Sequence, residues 1–346
     1  RRQRQMCIRD SFNKDHEPHD GIKNLPEPPP WRSFNTEVQT TEKKSRALWR
    51  SFNNEVQTTE KKSREEIIGK TFQVWDEQVK LVNAALYLRR PLLVTGKPGT
   101  GKSSLAYAIA YQLKLGKVLT WPINTRTTLS DGLYRYDAIG RLQDAQLGNQ
   151  PNIGKYIQLG AVGTAFLPNE YPRVLLIDEI DKSDIDLPND LLNLFEEGEF
   201  EIPELARISS QKKVVIVGTY DNQKVNISEG KVACQQFPLV IMTSNGERDF
   251  PPAFLRRCLQ LEMPEPTRDQ LDQIVKSHFD NLESDTDTLN IAKEFIEKFV
   301  REREGGKNLA TDQLLNVIFM LTKKKSPSEQ DKKNLLECLL KSLDRR

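Results

Sequence analysis

Short runs of consecutive apolar residues alternate with amphipathic stretches through the central part of the chain. Apolar runs bounded by turn residues predict buried strands, and they lie at 91–96, 118–123, 173–179, 214–218, 238–245 and 259–264. Between several of these runs the apolar positions recur at helical spacing, beginning with residues 71–90. Apolar strands that alternate with helices are typical of an α/β fold with a mostly parallel sheet covered on both faces.

The pattern changes at two places and predicts three parts of the chain. Residues 1–70 have little hydrophobic periodicity and contain PEPPPW, which favours extended backbone. We therefore expect a flexible N-terminal arm there, followed by the α/β nucleotide-binding domain over 71–266. In 267–346 the apolar positions follow helical spacing only, which predicts a small all-helical lid domain.

The predicted arm contains an internal repeat. WRSFNTEVQTTEKKSR at 31–46 recurs as WRSFNNEVQTTEKKSR at 49–64, identical in 15 of 16 positions at an offset of 18. One interpretation is an insertion that an exposed segment tolerates. The other is a paired binding motif with four aromatic anchors, Trp31, Phe34, Trp49 and Phe52.

Composition and charge exclude several classes of function. The 346 residues carry 51 Lys+Arg against 49 Asp+Glu, a net charge of +2, which disfavours general nucleic-acid binding. No apolar run has the length of a membrane span or signal peptide, and the cysteines show no CxxC spacing, so we expect a cytoplasmic protein with reduced thiols. His16 and His19 in the arm are either a metal-binding pair or incidental, and we predict no metal besides Mg²⁺.

A phosphate-binding loop follows the first predicted strand. PLLVT leads into GKPGTGKSS and then into a helical pattern, which is the strand-loop-helix context of GxxxxGK[ST]. Lys102 would pair with the β- and γ-phosphates, and the Ser103 hydroxyl would ligate Mg²⁺. The predicted nucleotide-binding residues are Gly96, Lys97, Pro98, Gly99, Thr100, Gly101, Lys102, Ser103 and Ser104.

Three further motifs carry candidate catalytic residues. VLLIDEIDK places Asp178 and Glu179 at the end of a buried strand, where Asp178 would hold Mg²⁺ and Glu179 would deprotonate the attacking water. PLVIMTSN ends in Asn245, which either bonds the γ-phosphate or the water or caps the strand. FPPAFLRRC presents Arg256 and Arg257, which are either surface charges or an arginine finger.

In this order and spacing, GKPGTGKS, VLLIDEIDK, TSN and FPPAFLRRC resemble the AAA+ ATPases, and among them the MoxR-like family. The closer likeness lies in GAVGTAFLP and in LLNLFEEGEFEIPE, which resembles the helix and β-hairpin insert before that family's sensor strand. The resemblance covers about residues 71–346. It implies an αβα nucleotide domain with a helical lid, assembled as a ring, usually hexameric, with ATP and Mg²⁺ at the subunit interfaces.

Position by position, the resemblance assigns Lys102 and Ser103 as Walker A residues. It assigns Asp178 and Glu179 as the Walker B pair, and Asn245 as the first sensor. Arg257 best matches the finger, because the family's usual Asp-Arg before an aromatic residue reads Arg256-Arg257-Cys258 here. Similar proteins often begin a lid helix with Ser-Pro-Arg, whose arginine is a second sensor. This chain has Gln313 in that region, without charge, which predicts slow or partner-dependent hydrolysis.

The resemblance predicts an ATPase ring that remodels a protein partner or assists its assembly, and MoxR-like proteins often work with von Willebrand A-type partners. One alternative is a nucleotide-gated scaffold or switch with little turnover. Another is a nucleic-acid motor, which the balanced charge disfavours. Near SDGLYRYDAIGR the family carries substrate-facing elements, so four side chains there are either substrate contacts or ordinary packing, namely Tyr134, Arg135, Tyr136 and Arg141.

Overall fold

The computed structural model describes residues 11–14, 16–32, 34, 63–148, 152–279 and 286–321. Most of the two repeat copies lies outside these residues. The same is true of the helix that the sequence predicts at the end of the chain. Among the described residues, no helix combines the length and the apolar character that crossing a membrane requires.

Five parallel strands form the central sheet. The strands are β1 (Leu92–Thr95), β2 (Leu119–Pro122), β5 (Val174–Asp178), β10 (Leu239–Ser244) and β11 (Leu259–Glu262). Their order across the sheet is β11-β1-β10-β5-β2, and every neighbouring pair is parallel. This sheet confirms the predicted α/β class. It also places the carboxyl ends of β1, β10 and β5 side by side at one edge.

Helices lie on the sheet's faces and form the C-terminal part of the chain. In chain order the described α-helices are α1 (Arg64–Thr71), α2 (Asp76–Leu88), α3 (Lys102–Gln112), α4 (Leu129–Leu133), α5 (Ala138–Gln146), α6 (Ala161–Ala165), α7 (Leu187–Glu197), α8 (Pro203–Ala206), α9 (Pro252–Arg257), α10 (Arg268–His278), α11 (Thr286–Glu304) and α12 (Thr311–Leu321). Short 3₁₀ helices lie at Gly21–Asn24, Pro30–Arg32, Ile153–Tyr156 and Ile180–Lys182.

A second sheet of six strands stands beside the first. Its remaining strands are β3 (Tyr134–Tyr136), β4 (Ile157–Leu159), β6 (Glu199–Glu201), β8 (Lys224–Ser228) and β9 (Lys231–Ala233). Its sixth strand is β7 (Val214–Gly218), which pairs antiparallel with β8. The sequence placed this strand among the buried strands, and that is wrong, because Val214 and Ile216 are exposed and only alternate residues face the core.

The central strands bury both of their faces. Along β5, Leu175 and Ile177 pack with α6, α7 and the second sheet, whereas Val174 and Leu176 pack with α2 and α3 on the opposite face. Successive side chains of a strand point to opposite sides, so a strand buried on both sides reads as a continuous apolar run. This explains why the central strands were evident in the sequence.

Part of the predicted arm packs tightly on the α/β body. Phe12 is fully buried, and its backbone N–H and C=O pair with the Asn83 side chain at 2.9 and 2.8 Å. The Asn13 backbone makes two 3.0 Å bonds with the Gln112 amide, and Ile22 joins the core face that contains α2 and α3. These residues therefore extend the body, although their sequence shows no regular apolar periodicity.

The helices α10, α11 and α12 have a small core of their own. It is formed by Leu271 and Val275 of α10, Ile296 and Phe299 of α11, and Leu314 of α12, together with neighbouring apolar residues. α10 begins at an N-cap, Thr267, whose hydroxyl accepts from the Gln270 N–H. A separate core agrees with the predicted helical lid.

Candidate nucleotide-binding site

The loop between β1 and α3 forms a turn around the ammonium group of Lys102. Gly96, Gly99 and Gly101 have φ values of +150°, +76° and +87°, which side-chain-bearing residues rarely adopt. Lys102 Nζ donates to the carbonyls of Gly96 and Lys97 at 2.7 and 2.9 Å. Burial lowers the pKa of Lys102, and the nearby carboxylates act in the opposite direction.

Asp178, at the end of β5, joins the loop to the neighbouring strand β10. Its Oδ1 accepts from Ser103 Oγ at 2.7 Å and from Thr243 Oγ1 at 2.6 Å. Thr243 in turn accepts from the backbone N–H of Glu179 at 2.9 Å. The Asp178 carboxylate therefore fixes the relative positions of α3, β5 and β10.

Glu179 follows Asp178 in a left-handed backbone conformation, with φ at +61°. The carboxylate, about half exposed, accepts from Lys182 Nζ at 2.7 Å. This hydrogen bond raises the pKa of Lys182. The candidate general base therefore sits in an ion pair with a lysine of its own segment.

Asp181 positions the backbone at Asn245, and sequence analysis missed it. The Asp181 side chain is nearly buried, and its Oδ2 accepts from the backbone N–H groups of Asn245 and Glu247 at 2.8 and 3.2 Å. The only sequence signal was a third acidic residue in IDEID, which on its own cannot be told from a charged strand exit. The residues after β10 are thereby held against the segment after β5.

The two candidate finger residues lie at the end of α9 and differ in their contacts. Arg257 pairs with the Glu196 carboxylate through Nε and bonds the Ala253 carbonyl through a terminal nitrogen at 3.2 Å. Arg256 is exposed. The backbone carbonyls of both accept from the Arg90 guanidinium. Arg90 thus fixes the end of α9, and Glu196 holds the Arg257 head within its own chain.

The helical lid touches the phosphate loop at the start of α12. A Cβ placed on Gly99 would overlap Ala310 and approach the Thr311 nitrogen to 3.1 Å. Gln313 Oε1 accepts from the Ala310 N–H at 2.8 Å, which caps the first turn of α12. Gln313 therefore has a structural role beside the loop, in agreement with the expectation that it supplies no charge there.

The oxygen atoms at Asp178 suit Mg²⁺. A hydroxyl from Ser103 and a carboxylate from Asp178 are hard ligands, and Mg²⁺ in phosphate sites takes only one or two protein ligands beside phosphate oxygens and water. Within the described ranges, no group of three or more His, Cys, Asp or Glu is arranged to hold a metal. His19 instead accepts from the Gly21 N–H at 3.0 Å through Nδ1.

Of the two interpretations of Tyr134 and Tyr136, substrate contact or packing, their surroundings favour packing. Tyr134 and Tyr136 are half-buried against the core that contains the second sheet. Tyr134 donates to Glu204 at 2.8 Å, and burial together with this bond raises the pKa of Tyr134 to about 12. Arg141 donates to the Tyr136 hydroxyl at 2.9 Å, whereas Arg135 is exposed.

A family model matches the part of the chain that contains these residues. Residues 91–257 match the family model of the AAA domain, dynein-related subfamily. The match covers somewhat less than half of the chain and supports an AAA-type domain in this segment. The AAA domain so matched begins at the strand that leads into the phosphate loop and ends at Arg257. It therefore contains all the predicted nucleotide, Mg²⁺ and catalytic residues.

Two solved structures are similar to this chain over most of its length. Domain III of the replication initiation protein DnaA from Thermotoga maritima is 15% identical, with a TM-score of 0.42, over 81% of this chain and 100% of that chain. PCH-2 from C. elegans is 17% identical, with a TM-score of 0.43, over 80% of this chain and 72% of that chain. The strand order of the central sheet and the family match support an AAA-type domain in this segment.

Proposed function

We propose that this chain is a MoxR-like AAA+ ATPase that hydrolyses ATP to ADP and phosphate and works as a ring, most simply a hexamer. In that role it remodels a protein partner or assists its assembly. The observation that carries the proposal is the Asp178 carboxylate, which accepts from hydroxyls of the phosphate-loop helix and of β10. Such a junction brings together the groups that phosphoryl transfer requires.

The loop around Lys102 supports nucleotide binding. Its ammonium is held by the Gly96 and Lys97 carbonyls at the N-terminus of α3, where the helix dipole favours an anion. Phosphate oxygens would replace these carbonyls as the acceptors. Ser103 and Asp178 would hold Mg²⁺, which when bound neutralises charge on the β- and γ-phosphates.

Hydrolysis would depend on Glu179 and Asn245. Glu179 would take a proton from the attacking water once its carboxylate is free of Lys182. Asn245 would orient that water or the γ-phosphate, with its backbone held by Asp181. Both groups lie after neighbouring strands of one sheet edge, which is where open α/β sheets bind ligands.

Arg257 would act in the site of the adjacent subunit. Its guanidinium lies at the exposed end of α9 and is held by Glu196, so exchange of that partner for a neighbour's phosphate would place positive charge on the transition state. Arg256 is the alternative finger, one residue earlier in the same helix. This arrangement makes activity depend on assembly.

The partner is proposed to be a protein, and a von Willebrand A-type protein is the candidate that the MoxR-like resemblance supplies. α5 supports a protein partner, because it has no buried residue and exposes Ile139 and Leu142. The nearly balanced net charge disfavours a strong attraction to nucleic acid. A cytoplasmic location and a helical lid that begins after residue 266 complete the proposal. We do not keep a domain limit at 70, because Phe12 and Ile22 pack in the α/β core.

A nucleotide-gated switch is the second candidate. The observation in its favour is that both groups needed for hydrolysis are paired within the chain, Glu179 with Lys182 and Arg257 with Glu196. In a switch, ATP binding would alter these pairs and turnover would be incidental.

The test is ATP turnover per subunit over a range of protein concentrations, with Glu179→Gln as the blank. We expect a rate that rises with concentration to a plateau and disappears in the variant, while ATP binding persists. Tight binding without turnover in the unaltered chain would favour the switch. Absence of ATP binding would contradict both.

A further inference from the structure

A pocket on the AAA domain holds the start of the first repeat. The Arg32 guanidinium donates to the Arg89 carbonyl at 3.0 and 2.6 Å and to the Phe195 carbonyl at 2.8 Å. It also lies 5.0 Å from the centre of the Phe237 ring. Phe34 stacks on the same ring, with centroids 5.3 Å apart and planes 19° apart. The pocket therefore recognises an arginine and a phenylalanine two residues apart.

The arginine half of the pocket is built from two helix ends. Arg89 is the C-cap of α2, and Phe195 lies in the last turn of α7. The last carbonyls of a helix lack partners within it and carry the negative end of its dipole. They can satisfy a guanidinium without a carboxylate. Burial and the nearby Arg90 lower the pKa of Arg32, and the Glu196 carboxylate acts in the opposite direction.

The phenylalanine half depends on Gly198. This glycine is the C-cap of α7, with φ at +69°, and a Cβ on it would overlap the Phe34 ring. Phe237 is in turn held edge-on by Phe166 and Phe195, at centroid distances of 5.8 and 6.1 Å. The surface that receives the ring is therefore rigid and shaped for an aromatic side chain.

The chain contains a second segment with the side chains that this pocket binds. Residues 49–53 read WRSFN, identical to 31–35, so Arg50 and Phe52 repeat the two side chains that the pocket binds. We propose that the second repeat binds the same pocket of its own chain in exchange with the first. The pocket then serves as a docking site with two alternative occupants 18 residues apart.

The connecting chain is long enough for this exchange. Phe52 and Ser63 are separated by 11 residue steps, which span up to roughly 40 Å when extended. Ser63 is the N-cap of α1, and the pocket lies at the far end of α2. The two helices have 8 and 13 residues, or roughly 12 and 20 Å of length. A tethered segment within reach has a high effective concentration, which favours its own chain over another.

Both repeats present the same WRSFN side chains to the pocket. The two copies differ only at Thr36 and Asn54, which lie outside the WRSFN segment. The free energy of loop closure depends only on the logarithm of loop length, so a shift of 18 residues changes it little. Exchange would therefore populate both bound forms. When the second copy is bound, the unbound chain before the pocket is longer and the unbound chain after it is shorter.

Photo-cross-linking identifies the occupant. A photoreactive amino acid in place of Gln235, an exposed neighbour of the pocket, would be activated in the full chain. Trypsin then releases repeat peptides that differ in mass by the Thr36 to Asn54 change. We expect both peptides cross-linked in the unaltered chain. We expect only the Asn54 peptide in Arg32→Ala/Phe34→Ala and only the Thr36 peptide in Arg50→Ala/Phe52→Ala. Absence of the Asn54 peptide from Arg32→Ala/Phe34→Ala would overturn the proposal.

A mixture of isotope-labelled and unlabelled chains separates the source of the second occupant. Cross-links within one isotopic form support binding in the same chain. Mixed cross-links would show that the second repeat reaches another copy, and they would overturn the assignment to its own chain.

Thermal unfolding supplies an independent test. If one copy replaces the other, each double variant should leave Tm nearly unchanged, and the quadruple variant should lower it by about 5 °C. Ile22→Ala is the control, because Ile22 is buried and its segment, GIKN at 21–24, does not recur in the sequence, so this variant should lower Tm alone. If Arg32→Ala/Phe34→Ala alone lowers Tm as much as the quadruple variant does, the exchange is contradicted.

Discussion

The phosphate loop touches the helical lid at Gly99, where both a positive φ and a close neighbour restrict the residue. We expect Gly99→Ala to weaken ATP binding at least about tenfold, because its Cβ would overlap Ala310 and push the lid from the loop. Gly116→Ala is a matched control, since it has the same φ of +76° with no atom near its Cβ. Titration with a fluorescent ATP analogue measures both. Equal weakening would mean that the loss of ATP binding does not come from the lid contact.

Lys182 offers a second test at the level of one residue. It holds Glu179 in an exposed ion pair at 2.7 Å, and such pairs contribute up to about 1 kcal/mol. Lys182→Ala should therefore free the carboxylate and raise basal ATP turnover by up to about fivefold. Lys213→Ala, which breaks a looser surface pair with Glu229, should leave the rate unchanged. A large fall in rate with Lys182→Ala would show that this lysine itself assists hydrolysis.

At this scale, the sequence predicted the residues whose chemistry follows from a motif and missed those defined by partners. Lys102, Ser103 and Asp178 lie together as their spacing indicated. The role of Asp181 depends on two backbone N–H groups from another strand, and no local pattern encodes that contact. The Glu196 partner of Arg257 was missed for the same reason.

Among the elements, the connection between the segment after β5 and the segment after β10 carries a further prediction. Asp181→Ala removes the acceptor of two backbone N–H groups and should shift Asn245. A displacement of about 1 Å near the reacting atoms can cost roughly a hundredfold in rate. We expect kcat to fall by that order while ATP affinity changes little. Asp181→Asn retains an oxygen acceptor and should lose much less, and equal losses would argue against positioning.

The elements that the sequence predicted are those buried on both faces or clearly amphipathic. The central strands and the helices α10 and α12 were evident for that reason. The strands β3, β4, β6 and β9 have three residues each. So short a segment has too little alternation to reveal a strand. β7 was found as an apolar run, but its pairing with β8 depends on a turn and not on its own composition.

For the whole molecule, the proposed ring predicts that two inactive variants restore each other. Glu179→Gln lacks the base, and Arg257→Ala lacks the finger that serves a neighbour. A head-to-tail interface between the two kinds of subunit would contain one intact base and one intact finger. We expect the mixture to regain part of the unaltered ATPase rate, measured after mixing and reassembly.

In the control mixture, Arg256→Ala takes the place of Arg257→Ala. By itself, Arg256→Ala should reduce the ATPase rate less than Arg257→Ala does. If Arg256→Ala is the more damaging variant, Arg256 is the finger. If no mixture regains activity although both variants assemble, the site is complete within one subunit.

The packed core extends beyond the segment that matches the AAA family model. The segment 91–257 matches the AAA domain, yet Phe12, Ile22, Val74 and Val82 all lie before it and help to form the core face beneath β1. A fragment trimmed to the matched limits would leave that face open to water as a large apolar surface, the kind that promotes aggregation. We therefore expect the unit that can exist alone in solution to be larger than the unit recognised by similarity.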